Sequence, residues 1–168
     1  MTTGDFTRNE METGRKLFAG AWDFIWAADK AVSLPPMKGM EIAFAGRSNV
    51  GKSSLINALV RRPLARTSAA PGKTRLANFY RVQQGHTPPF FLVDLPGFGY
   101  ARASKVSSQA ELRSPADRRR AAAEEFTGLV EAYFDRPGDR GAVLLVDSRH
   151  PGLDSDAAAW AWLQTLHL

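Results

Sequence analysis

Residues 46–55 read Gly46-Arg-Ser-Asn-Val-Gly51-Lys52-Ser53-Ser54-Leu55, between the apolar run Glu41–Ala45 and the helical pattern of Lys52–Val60. The spacing is G-x-x-x-x-G-K-S, and a strand before it with a helix after it is the context that gives the spacing physical meaning. Gly46 and Gly51 permit backbone angles and close approach that a Cβ would obstruct, so successive N–H groups can turn inward around an anion. The helix starting near Lys52 adds its own unpaired N–H groups and the positive end of its dipole. In such a loop Lys52 reaches β- and γ-phosphates, and the Ser53 hydroxyl ligates Mg²⁺.

Outward from this loop the chain alternates strands and helices. Glu41–Ala45 reads as a strand and Lys52–Val60 as a helix; residues 63–77 form a polar loop. Asn78–Gln83 and Phe90–Asp94 are strands joined by the turn-rich Gln84-Gly-His-Thr-Pro-Pro89. A second long loop covers 95–115, a helix Ala116–Phe134, a strongly apolar strand Ala142–Asp147, and a final helix Asp154–Leu166. This order predicts an α/β fold whose doubly wound, mostly parallel sheet is covered on both faces. Upstream, Arg15–Ala31 carries Leu17, Phe18, Trp22, Ile25 and Trp26 at helical spacing, and Ser33-Leu-Pro-Pro36 ends it. The expectation is therefore a helical N-terminal extension over 1–33 packed on a main domain over 34–168.

Two further motifs share the chemistry of the first. Asp94-Leu-Pro-Gly97 closes an apolar strand some 40 residues after the phosphate loop and matches the D-x-x-G pattern of GTPases. There the carboxylate meets Mg²⁺ through water and the glycine N–H faces the γ-phosphate. Between the two loops lies Pro71-Gly-Lys-Thr-Arg75, in which Thr74 is the natural second hydroxyl ligand for the metal. Both long loops follow such groups, and loops of that length in a compact domain tend to be functional.

Composition narrows the classes. The chain has 168 residues, 44% of them hydrophobic, and contains no cysteine, which excludes disulfides and thiolate metal sites and fits a reducing compartment. It has neither a long apolar run nor a signal-like N-terminus, so a cytoplasmic protein without a membrane span is expected. The net charge of +5 favours anionic partners, with arginines at Arg61/Arg62, around Lys73/Arg75 and at Arg118, Arg119 and Arg120.

Taken together, GRSNVGKSSLINAL, TSAAPGKTRLANFY, DLPGFGYA and VDSRHP resemble the EngB family of bacterial GTP-binding proteins, also called YihA or YsxC, over about residues 34–166. The resemblance implies a GTPase domain that takes GTP or GDP with Mg²⁺, acts in assembly of the large ribosomal subunit through rRNA and ribosomal proteins, and is needed for normal septation. It places the nucleotide against Gly46, Arg47, Ser48, Asn49, Val50, Gly51, Lys52, Ser53 and Ser54, against Gly72, Lys73, Thr74, Arg75 and Leu76, and against Asp94, Leu95, Pro96 and Gly97. Lys52, Asn49, Thr74 and Gly97 carry the hydrolytic roles, and Ser53, Thr74 and, through water, Asp94 hold the metal. Phe98 stands where many GTPases have a water-orienting glutamine, which implies slow turnover; in related GTPases an asparagine at the place of Asn49 helps hold a potassium ion. The family continues after the last helix with a strand carrying Thr-Lys-x-Asp, whose aspartate reads guanine, so the expectation is a partial domain lacking its last strands and helices, monomeric when complete. The alternatives are a binding-only module without guanine selectivity or turnover, and a P-loop ATPase, which Thr74 and the DLPG context disfavour.

Overall fold

Strands that are apolar on both sides need both faces of their sheet covered. In the computed structural model, which describes residues 6–66, 76–83, 85, 87–97, 128–150, 152–166 and 168, two sets of helices do this. The elements are α1 (Arg8–Phe18), β1 (Trp22–Ala28), a 3₁₀ turn (Ala31–Ser33), β2 (Met40–Gly46), α2 (Lys52–Val60), β3 (Ala77–Val82), β4 (Phe90–Asp94), the helical residues 128–135 (α3), β5 (Arg140–Leu145) and α4 (Asp154–Leu163).

The sheet has the order β1-β3-β4-β2-β5. β4, β2 and β5 are parallel neighbours, while β3 runs antiparallel to both β4 and β1, so four of the five described strands point the same way. Side chains leave a strand alternately to either face. Thus Ala43, Phe79 and Val93 pack on one side with Leu129, Tyr133 and Phe134 of α3 and Leu163 of α4. Phe44, Tyr80, Val82 and Leu92 pack on the other with Ile56 and Val60 of α2, and Leu17 and Phe18 of α1 join them.

The helix expected over Arg15–Ala31 is corrected: α1 begins at Arg8 and ends at Phe18, and Trp22–Ala28 is a strand. Thr7 starts α1 with a reciprocal cap, its hydroxyl accepting from Glu10 N–H while the Glu10 carboxylate accepts from Thr7 N–H. After Gly20 the aromatic residues have two readings, since Trp22 and Trp26 are four apart but Trp22, Phe24 and Trp26 also alternate. Pairing with β3 selects the second reading, with a bulge between Phe24 and Trp26. The remaining elements differ from expectation only at their ends: β5 starts two residues earlier than Ala142, and α4 stops at Leu163. Residues 116–127 of the expected helix lie outside the described residues.

At the end of the sheet where β2 and β5 begin, one arginine ties three segments. Arg136 donates to Pro35 O (2.6 Å) and to the Glu41 carboxylate (2.6 Å), and its guanidinium lies over the Tyr133 ring. Arg140 donates to Tyr133 O (2.7 Å). Glu41 is buried, so this pairing is what makes its charge tolerable there.

Candidate functional site

Parallel pairing of β2 with β4 sets Phe44 opposite Asp94, and pairing with β5 sets Gly46 opposite Leu145. The loops that leave these three strands therefore open at one end of the sheet. β2 delivers the chain to Gly46, where a Cβ would lie 2.6 Å from Leu145 O and 2.9 Å from a Val50 methyl. The turn that follows bonds Val50 N to Arg47 O, passes Asn49 at φ 63° and reaches Gly51 at φ 110°, which leads directly into α2. No side chain caps α2, so the amides of its first turn are left for something else.

Lys52 folds back under the loop and donates to Gly46 O and Arg47 O, each at 3.1 Å. Its ammonium has three protons, and these two carbonyls take two of them. Burial lowers its pKa, and the nearby Asp94 carboxylate opposes that shift. Ser53 donates its hydroxyl proton to Asp94 Oδ2 at 2.6 Å. Asp94 is buried; desolvation raises its pKa, against the Ser53 hydrogen bond and the Lys52 charge. Its other oxygen, Oδ1, is buried without any partner.

A buried carboxylate oxygen without a donor is costly unless something supplies positive charge. Together with the Ser53 hydroxyl it forms a hard-oxygen set of the kind Mg²⁺ takes, so these residues fit the expected metal. Gly97 lies against the phosphate loop, where a methyl group on it would sit 2.5 Å from Ser48 N and 2.6 Å from Ser48 Cα. The first and third motifs are thus in contact.

Of the site residues expected from sequence, the structure brings together Gly46–Ser54 and Asp94–Gly97. Leu76 is exposed at the start of β3, and the Asn49 side chain is exposed. Gly72, Lys73, Thr74 and Arg75 lie outside the described residues, as does Phe98. At the end of β5, Asp147 accepts from Arg149 N–H, Nε and Nη2. The Arg149 guanidinium holds that carboxyl well below its usual range.

Sequence reasoning missed Asn57. Its amide donates to Ala65 O (2.8 Å) and accepts from Ala65 N (2.6 Å), which anchors the chain as it leaves α2. The available signal was one amide in the otherwise apolar run Leu55-Ile-Asn-Ala-Leu-Val60.

Residues 41–161 match the model of a family described as 50S ribosome-binding GTPase. The chain is similar to a probable GTP-binding protein EngB of Afipia carboxidovorans, 44% identical over 159 residues, covering 92% of this chain and 65% of that protein. One from Hyphomonas neptunium is 44% identical over 155 residues, covering 90% and 63%. A third, from Bradyrhizobium diazoefficiens, is 56% identical over 113 residues, covering 66% and 51%. The chain thus spans between half and two thirds of the length of these relatives.

Proposed function

The chain belongs to the EngB family of GTP-binding proteins, and from that membership and the site geometry we propose that it binds GTP and GDP with Mg²⁺ and hydrolyses GTP slowly. The observation that carries the reading is the hydrogen bond of Ser53 to one oxygen of buried Asp94, whose other oxygen has no partner. Ser53, Thr74 and, through water, Asp94 would hold Mg²⁺, which would supply positive charge for the phosphates.

The amides from Arg47 to Ser53 and the uncapped end of α2 bind the phosphate oxygens. Lys52 extends from its two carbonyls toward the β- and γ-phosphates. Gly97 N–H faces the γ-phosphate. Hydrolysis forms a bond from a water oxygen to the γ-phosphorus and breaks the bond to the β–γ bridging oxygen, whose electron pair leaves with GDP. This transfer needs positioning and charge neutralisation rather than covalent help. Phe98, in place of a water-orienting side chain, makes it slow; a potassium ion held at Asn49 would supply compensating positive charge.

We further propose that the protein acts in assembly of the large ribosomal subunit, on rRNA and ribosomal proteins, and supports normal septation. The family description, the EngB relatives and the positive net charge support this reading. We place the protein in the cytoplasm as a monomer. Among the described residues no helix is long and apolar enough to cross a membrane.

Titration with a fluorescent GTP analogue, with and without Mg²⁺, tests the site. Lys52→Ala and Ser53→Ala each weaken Mg²⁺-dependent binding by tenfold or more, roughly 1.4 kcal/mol. Unchanged affinity in both variants would remove the assignment. Replacing K⁺ by Na⁺ slows turnover, and Asn49→Ala abolishes that difference; equal turnover in both salts leaves Asn49 as loop scaffold.

A further inference from the structure

Asparagine is a poor strand former, yet β3 carries one on a face that is otherwise apolar. Ala77 and Phe79 turn toward α3, so alternation turns Asn78, Tyr80 and Val82 toward α2. Tyr80 and Val82 are buried there in one cluster with Phe44, Ile56 and Leu92, and Asn78, next along the same face, is partly buried. The antiparallel register sets Asn78 directly opposite Asp94. Asp94 points to the same face, since Ser53 of α2 donates to its carboxylate. Directly opposite side chains on one face of such a pair have Cβ atoms about 5 Å apart.

At this level of the sheet Asp94 has two lateral neighbours, Phe44 on β2 and Asn78 on β3, and beyond Asn78 stands Ala27 of β1. The side chains of Phe44 and Ala27 carry no polar atom. Among the described strand residues in this row, Asn78 is therefore the neighbour of Asp94 whose side chain can join a hydrogen-bond network. Asp94 Oδ1 is buried without a partner, so the carboxamide is not already spent on it.

We propose that Asn78 is a positioning residue of the metal site, its carboxamide oxygen accepting from the water through which Asp94 meets Mg²⁺. The inference rests on the Mg²⁺ reading above and adds to it a residue that holds the metal's surroundings without touching the metal. Mg²⁺ gives up its waters reluctantly, and each water it keeps has two protons to place. The Asp94 carboxylate takes one, and an amide oxygen, which accepts without adding charge, takes the other. Partners at this remove orient what ligates a metal, and their loss typically costs about tenfold to a hundredfold in metal affinity.

Titration of Mg²⁺ into the protein with a fluorescent GDP analogue tests it, beside thermal melts of the metal-free protein. Asn78→Leu keeps the size of the side chain and Asn78→Ala removes it. Each raises the Mg²⁺ midpoint by about tenfold or more, while nucleotide affinity in a chelator stays at the wild-type value. Asn78→Asp keeps an acceptor in place and brings the midpoint back to the wild-type value or below. Its metal-free form melts lower, because two carboxylates then face each other across the strands. Mn²⁺ binding followed by electron paramagnetic resonance reads the same order without any turnover. Unchanged midpoints in the Leu and Ala variants would overturn the inference, as would an Asp variant as weak as the Ala variant. So would variants that lower the melting temperature without moving the midpoint, which is what a purely structural asparagine predicts. Ser53→Ala and Asp94→Asn, measured alongside, separate this inference from the reading it rests on. If those two also leave the midpoint unchanged, the Mg²⁺ site itself is misassigned; if they raise it and the Asn78 variants do not, Asn78 alone is.

Discussion

Asp94 shows how a single residue can be shaped for a partner at the expense of its own comfort. One carboxylate oxygen takes the Ser53 proton and the other has no donor, while burial raises the pKa above its ordinary value of 3.8. A raised folded-state pKa contributes stability that is full below the unfolded value and is lost as pH rises through the folded value. In the presence of a chelator, Asp94→Asn is therefore expected to melt above the wild type at pH 7, with the gap closing toward pH 4. Thermal melts across that range check it; a variant less stable at pH 7 would contradict it. With Mg²⁺ present the same change abolishes metal-dependent nucleotide binding. Gly97 offers the complementary case, since the methyl of Gly97→Ala falls within 2.6 Å of Ser48 backbone atoms. That variant is expected to lose triphosphate affinity more than diphosphate affinity, because the displaced N–H faces the γ-phosphate; paired titrations with GDP and a non-hydrolysable GTP analogue read the ratio.

Among the elements, α2 and β1 depend on contacts that neither could make alone. The nine residues of α2 are too few to be stable by themselves, and its lower end is secured by Asn57 bonding both backbone groups of buried Ala65. Asn57→Ala leaves that N–H and C=O without partners, and a loss of about 2 kcal/mol is expected in denaturant melts. β1 is anchored by Trp22, which is fully buried, stacked on Phe18 at 5.8 Å and edge-on to Phe90 at 6.1 Å. Trp22→Ala is expected to cost about 3–5 kcal/mol.

The whole molecule is braced at the end of the sheet away from the site, where Arg136 joins the linker at Pro35, the start of β2 at Glu41 and the end of α3 at Tyr133. A partner taken from a buried ion pair leaves an uncompensated charge. Arg136→Met alone is therefore expected to lose about 3–5 kcal/mol, whereas Arg136→Met with Glu41→Leu recovers most of it. A double-mutant cycle by chemical denaturation measures this, and additive losses would mean that the pair is not coupled. The brace explains why β2 can present an open, unsatisfied loop at its other end: the strand is tied before it reaches Gly46.

Much of this architecture was legible in residue order, because the features concerned are local. Gly46, Gly51, Lys52 and Ser53 lie within one turn and the next helix, so their spacing alone specifies an anion cradle, and apolar runs bounded by Gly and Pro place β2, α2 and β4 nearly to the residue. What distance along the chain separates, only the fold decided. Trp22–Ala28 satisfies both helical and alternating periods, and the choice was made by β3, some fifty residues later, whose backbone offers it a ladder. Likewise Gly97 meets Ser48, Arg136 meets Glu41, and Arg62 meets Asp23 because parallel crossovers return the chain to the same end or edge of one sheet. Periodicity reports which face of an element is buried; what lies against that face is a property of the assembled layers.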